Sequence, residues 1–295
     1  MIKQLARRML RPVLMRVEDY VTRKATLWTS TSPETKAIQR NLFHYYRDVT
    51  QAGRAIPLAE TGFRVFSQFE EDGVLLYIFA ALGVARGTFV DVGSADGIRS
   101  NCANLALNLG WDGVFIDGNP ENIRRGEAFY RSHPDTCEHP PRFLHAMVSR
   151  ENINDILTGA GVPHDVDFMS VDIDGNDYWV WDAITAISPK VVMVETHVEF
   201  GLRDIVVPYD PSHVYPGKHP DYFGASPTAM ARLAAQKGYR LVGANNYGFN
   251  TIYVRQGLAE TALPEVTVES ILQHPRNAER LLRFEPIKDW PYVSA

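Results

Sequence analysis

Cysteine is scarce. The two present, Cys102 and Cys137, make neither a disulfide framework nor a zinc site, so a reducing, cytoplasmic setting is expected. Long apolar runs are missing too. The longest, Val74–Val84, is broken by Tyr77 and Gly83 and is too short to span a bilayer. The arginines near the N-terminus precede no unbroken apolar run, so no secretory signal is expected. There is no excess of positive charge: 30 Lys and Arg stand against 35 Asp and Glu, a formal net charge of -5. General attraction to nucleic acid is therefore not expected, and no basic, aromatic-laced patch accompanies the catalytic half. Internal repeats and low-complexity tracts are also absent. What remains is 295 residues, 45% of them hydrophobic, enough for one large core or one core with a small appendage.

The N-terminus departs from this average. Residues 1–24 carry Lys3, Arg7, Arg8, Arg11, Arg16, Arg23 and Lys24 against only Glu18 and Asp19. Ile2, Leu5, Met9, Leu10, Val13, Leu14, Val17 and Val21 form one apolar stripe at helical spacing, with a basic face opposite. Two uses stay open. The stripe packs on protein, its own domain or a second copy in a homo-oligomer, or it lies peripherally on the inner face of an anionic membrane.

Further along, Pro33–Thr50 reads as helical, and a loop with Gly53, Pro57 and Gly62 follows. The expected division is a helical extension over 1–62, a domain over 63–258 and a helical or irregular tail over 259–295. Ser67-Gln-Phe-Glu70 has capping-box spacing and opens a helix expected to run through Leu82 and stop at Gly83. Strands and helices then alternate. Strands are expected at Thr88–Val92, Gly113–Asp117, Arg142–Val148, Asp167–Asp172 and Lys190–Glu195. Helices are expected over Asn101–Leu109, Glu121–Tyr130 (capped by Asn119-Pro120) and Ile153–Leu157, and from the fourth strand through Trp181. Such alternation implies right-handed crossovers and a parallel sheet with helices on both faces. Ser226-Pro227 caps a further helix. After it, Tyr239–Gly243 and Asn250–Val254 are too close for a crossover and must form an antiparallel hairpin. An α/β, Rossmann-like sheet of seven strands, mostly parallel with an antiparallel edge hairpin strand, resembles the class I methyltransferases over roughly Phe66–Arg255.

Ligands of such sheets lie beyond the strand carboxyl ends, where strand order reverses. The first strand ends Asp91-Val-Gly93-Ser-Ala95-Asp96-Gly97, a turn of small residues that a ligand can approach closely. The second ends in Asp117, an acid placed to accept bonds from ribose hydroxyls. The glycine spacing differs from the Gly-x-Gly-x-x-Gly of dinucleotide sites. Asp91 and Asp96 in the turn repel pyrophosphate but suit a cationic sulfonium and ammonium. S-adenosylmethionine is the expected cofactor.

Four segments carry a closer resemblance: Ser67-Gln-Phe-Glu-Glu-Asp-Gly73, Phe89-Val-Asp-Val-Gly-Ser-Ala-Asp-Gly97 with Ser100-Asn101, Phe115-Ile-Asp-Gly-Asn-Pro120, and Met169-Ser-Val-Asp-Ile-Asp-Gly-Asn-Asp-Tyr178. They resemble the FkbM-like S-adenosylmethionine-dependent methyltransferases. The resemblance implies that Asp91, Gly93 and Ala95 contact the cofactor, with Asp117 on its ribose, Gln68 nearby and Ala146 beside the adenine. Asp96 and Asp172 complete the expected cofactor set. The fourth motif departs from the family, reading Asp174-Gly-Asn-Asp177 where Glu-Gly-His-Glu is usual.

Methyl transfer to a hydroxyl needs an aligned acceptor and a group to take its proton. Asp172, Asp174, Glu195 and His197 stand at the ends of the fourth and fifth strands. In one reading, Asp172, Asp174 and Glu195 hold Mg²⁺ or another divalent cation. In the other, His197 is the general base, oriented by Glu195 or Asp174. Residues 200–225, with Tyr209, His213, Tyr215, His219, Tyr222 and Phe223, read as a lid or acceptor wall suited to a small molecule or glycan. The leading expectation is an O-methyltransferase for a sugar hydroxyl in a surface polysaccharide or glycosylated metabolite. A non-catalytic binding or assembly protein on a cofactor fold, and a nicotinamide oxidoreductase, are the alternatives.

Overall fold

A computed structural model describes residues 29–294. The basic stripe of residues 1–24 lies outside them. By internal contacts the chain divides into Met1–Leu42 and Phe43–Ala295. The division falls inside the first described helix, α1 (Pro33–Gln51), upstream of the Gly62 loop where the sequence pointed to a boundary. Phe43, Tyr46 and Val49 are buried, and the Tyr46 ring meets Tyr77 edge-on at 5.3 Å. That half of α1 therefore belongs to the larger unit.

The larger unit continues through α2 (Glu71–Ala81), β1 (Thr88–Val92), α3 (Ala103–Leu109), β2 (Asp112–Asp117), α4 (Pro120–Ser132) and β3 (Arg142–His145). Next come α5 (Ile153–Gly159), β4 (Phe168–Val171), α6 (Asp177–Ala183) and β5 (Val191–Glu195). The remainder is α7 (Pro227–Gln236), β6 (Tyr239–Ala244), β7 (Asn250–Arg255), α8 (Val268–Ile271) and α9 (Asn277–Leu281). The seven strands form one sheet in the order β3-β2-β1-β4-β5-β7-β6. All neighbours are parallel except β7, which runs antiparallel to both β5 and β6. The hairpin is thus as the sequence implied, with its reversed strand one place in from the edge. This is the Rossmann-like sheet of class I methyltransferases.

Local chemistry explains most boundaries. The Asn119 side chain accepts from Glu121 N–H at 2.9 Å with Pro120 at the first helical position, and the Ser226 hydroxyl accepts from Ala229 N–H at 3.0 Å. Both caps fill orphan donors. Gly110 ends α3 in the left-handed region. Strands β1, β4 and β5 are apolar because helices cover both their faces: Val90, Val92, Met169, Val171, Val192 and Val194 are fully buried. Each such side chain contributes roughly 1.5–3 kcal/mol.

Two expectations need correction. β3 stops at His145 rather than Val148, since beyond it only Ala146 N–H reaches β2, at the Asp117 carbonyl. The Ser67–Glu70 capping box does not form: α2 opens at Glu71, and Glu70 makes no capping bond. Asp72 takes over instead. Its Oδ2 accepts from Val65, Phe66 and Ser67 N–H at 2.7, 2.6 and 2.9 Å and from the Ser67 hydroxyl at 2.9 Å. One buried carboxylate thereby folds the whole approach to α2. Among the described residues no helix is long and apolar enough to cross a membrane.

Candidate active site

Strand order reverses between β1 and β4, so their carboxyl ends flank a crevice. Here lies a cleft of about 520 Å³, lined by Gly93, Ala95, Asp117, Ala146, Asp172 and Asp174 among others. Its wall carries four carboxylates (Asp117, Glu151, Asp172, Asp174) and, among the described residues, no Lys or Arg.

The β1 turn is shaped for close packing. Gly93 has φ +86°, and a Cβ there would stand 1.7 Å from the Asp172 carbonyl oxygen. Only glycine lets β1 and β4 end so near each other. The N–H groups of Gly93 and Ser94 both donate to the Ile116 carbonyl, Gly97 N–H donates to Ser94, and Ala95 N–H donates to Asp117 Oδ2 at 2.9 Å. With these donors spent inside the turn, it offers no phosphate nest of the dinucleotide kind. Asp117 Oδ1 accepts from Asn119 N–H at 2.8 Å and from the Asn122 amide at 3.1 Å, which fixes the carboxylate at the cleft floor.

Not every expected cofactor residue reaches this wall. Asp91 is buried under the turn, where it accepts from the Ser100 hydroxyl at 2.6 Å, and burial pushes its pKa up to about 6. Asp96 is held by Arg125 at 2.6 Å. Gln68 is exposed in the loop before α2 and is not among the cleft-lining residues. The turn itself is consequently less anionic than its sequence implied. The repulsion toward pyrophosphate comes from Asp117, Glu151, Asp172 and Asp174.

Asp172, Asp174 and Glu195 converge, with carboxylate oxygens all within 4.8 Å of one another. Burial first, and then the neighbouring acids, raise the pKa of Asp172 and of Glu195; burial raises that of Asp174. The segment presenting Asp174 is built by Asp177, a buried acid. Its two oxygens accept from Ile173 N–H at 2.7 Å and Gly175 N–H at 2.9 Å, and burial lifts its pKa to about 6. Asp174 itself sits at φ +53°.

His197 does not face this cluster's cleft. It is buried, stacked 5.1 Å from Phe200 and edge-on to Phe223 at 3.9 Å. Burial lowers its pKa to about 3, and its Nδ1 lies 3.5 Å from Glu199 without a hydrogen bond. The imidazole beside the acids is that of His213, whose Nε2 lies 2.9 Å from the Asp174 carbonyl oxygen. A carbonyl only accepts, so Nε2 carries the proton. The ring lies over Gly175, where a Cβ would come within 2.3 Å of it. His213 belongs to the loop of residues 201–225. That loop is tied to α6 by Asn176 to the Asp210 carbonyl (2.8 Å) and by Trp179 to the Val207 carbonyl (2.9 Å). Tyr209 from the same loop donates to Glu151 at 2.5 Å across the cleft mouth. The loop is therefore a docked wall. Its aromatic content was visible in the sequence, but the meeting of His213 with Asp174 had no local signal.

No protein-family model and no curated protein matches the chain. Among solved structures, the N-terminal domain of EvdMO1 with SAH bound is 14% identical, with a TM-score of 0.42 over 71% of this chain and 96% of that one. Monomeric WbdD is 20% identical, with a TM-score of 0.36 over 60% and 38%. An O-methyltransferase family protein from Burkholderia thailandensis is 12% identical, with a TM-score of 0.38 over 59% and 52%. The chain thus spans less than two fifths of the length of WbdD. These likenesses do not bear on activity, and the fold stands on its own strand order.

Proposed function

We propose that this chain is an S-adenosylmethionine-dependent O-methyltransferase of the FkbM-like kind, acting on a sugar hydroxyl in a surface polysaccharide or a glycosylated metabolite. The observation that carries the cofactor is the switch-point cleft, with four carboxylates and, among the described residues, no Lys or Arg on its wall. A sulfonium and an ammonium are attracted there, while a pyrophosphate is repelled and meets a turn whose Gly93, Ser94, Ala95 and Gly97 amides are already bonded. In this reading Asp117, on the cleft wall, takes the ribose hydroxyls and Ala146, also on the wall, the adenine face. Nicotinamide chemistry is correspondingly disfavoured.

In the reaction, the acceptor oxygen attacks the sulfonium methyl in line, the carbon–sulfur bond breaks, and the hydroxyl proton leaves to a nearby base. Asp172, Asp174 and Glu195 supply that base, since burial and mutual repulsion favour proton uptake. Their converging hard oxygens also fit a divalent cation such as Mg²⁺, which would contribute a Lewis acid next to the acceptor hydroxyl. The aromatic loop forms the acceptor wall. Isothermal titration with S-adenosylmethionine, S-adenosylhomocysteine and NAD tests the reading. Binding of the first two is expected, and binding of NAD alone would overturn it.

A further inference from the structure

The β6–β7 turn walls a second cleft, of about 550 Å³, lined by Phe69, Tyr247, Arg276, Glu279, Arg280 and Arg283. We propose that this cleft binds a phosphate group carried by the methyl acceptor, an assignment that rests on the methyl-transfer reading above.

Three guanidiniums face one carboxylate here. Arg280 lies 3.7 Å from Glu199 and Arg283 lies 3.6 Å from Asp221. Both separations exceed a hydrogen bond, so N–H donors remain for a ligand. No ion pair engages Arg276 among the described residues. Aromatic faces orient two of the plates: Arg276 lies 5.9 Å from the Tyr247 ring centre and Arg280 lies 5.4 Å from that of Phe249. The arginine-bearing helix α9 is fixed to the turn by buried Asn277, which donates to the Tyr247 carbonyl at 3.0 Å. Three guanidinium forks match the charge and oxygens of a phosphate better than a lone carboxylate, which one fork satisfies.

The position links this cleft to the reaction. Glu195 pairs with Asn250 in the β5–β7 register, and Thr196 N–H donates to the Phe249 carbonyl at 2.7 Å. Phe69 packs 4.8 Å from Tyr247, while its N–H donates to Glu71, whose other oxygen holds Asn245 and Asn250. The arginines therefore stand at the same end of the sheet as the acids. The acidic cleft repels a phosphate and the basic one attracts it, so an acceptor with an anionic group has one orientation in which its hydroxyl meets Asp172, Asp174 and Glu195.

The test is titration of the full chain with inorganic phosphate, glucose 1-phosphate, glucuronate and glucose, alongside S-adenosylhomocysteine. We expect the two phosphates to bind, glucuronate to bind more weakly and glucose not at all. In the double variant Arg276→Gln, Arg283→Gln, both at exposed positions, phosphate affinity falls at least about tenfold. The melting temperature and S-adenosylhomocysteine affinity stay as in the parent. Equal phosphate binding by parent and variant, or none by the parent, overturns the proposal. Tighter binding of glucuronate than of glucose 1-phosphate overturns the choice of phosphate. Phosphate binding without S-adenosylhomocysteine binding would instead sink the methyl-transfer reading and leave an anion site without an acceptor.

Discussion

Asp72 gives the sharpest test of the architecture. Its carboxylate is 2% exposed, accepts four hydrogen bonds through Oδ2 and leaves Oδ1 buried without one. Burial moves its pKa from the ordinary 3.8 up to about 6. Below the lower value both folded and unfolded chains hold the proton. Between the two values only the folded chain does, so stability falls as pH rises through this window. At about 1.4 kcal/mol per pH unit the whole loss is about 3 kcal/mol, of which about 2 kcal/mol falls between about pH 4.5 and 7.5. Asp72→Asn removes the titration but keeps an acceptor oxygen. Its amide replaces the unpartnered Oδ1, a cost of about 1–3 kcal/mol that does not vary with pH. Other buried acids, Asp91 and Asp177 included, are common to both proteins and cancel in the difference. Urea unfolding at a series of pH values should therefore show the variant gaining about 2 kcal/mol on the parent across that range. Parallel stability curves would refute the argument that desolvation dominates at Asp72.

Gly93→Ala places a methyl 1.7 Å from the Asp172 carbonyl at φ +86°; calorimetry should show a loss of about 2–5 kcal/mol, and an unchanged melting temperature would contradict the close approach of β1 and β4. Asp177→Ala frees the Ile173 and Gly175 amides. Turnover should drop about a hundredfold through misplacement of Asp174, with S-adenosylhomocysteine affinity changed far less, so equal losses in both would show a general collapse of the site. His197→Leu removes a packed imidazole and should leave turnover within about threefold, whereas a folded variant slowed by about a thousandfold would restore His197 as the base. If the three carboxylates hold a cation, dialysis against EDTA abolishes turnover and readdition of Mg²⁺ recovers it, and undiminished turnover would leave them as base alone.

The fold was legible because its signals are local. Asn119-Pro120, Ser226-Pro227 and Gly110 mark helix ends through bonds that span five residues or fewer, and apolar runs bounded by such marks give the strands. The close spacing of Tyr239–Gly243 and Asn250–Val254 forced a hairpin without any knowledge of partners. Where local patterns competed, the one with a buried acid won. Ser67 and Glu70 have capping-box spacing, yet Asp72 collects Ser67 and the two amides before it, because one carboxylate oxygen can accept from all four donors at once.

The site was less legible because its contacts cross long stretches of chain. Asp96 is neutralised by Arg125 from the next helix but one, and Asp174 meets His213 from a loop whose sequence shows only that it is long and aromatic. The same loop explains why His197 lost its expected role. Phe200 and Phe223 close around that ring, and burial without a hydrogen-bonded partner makes a proton costly there. The imidazole that stays within reach of the acids is the one that entered from outside the strand. In the proposed reading, acids fixed at strand ends hold the cofactor and the reacting hydroxyl, which is why they appear in the strand motifs. The groups proposed to tell one acceptor from another sit on the later segments, His213 on the loop after β5 and Arg276 to Arg283 after β7. Exchange of those segments should therefore change the acceptor while leaving S-adenosylhomocysteine affinity in place, and a simultaneous loss of both would mean that the sheet and the loops do not divide the work in this way.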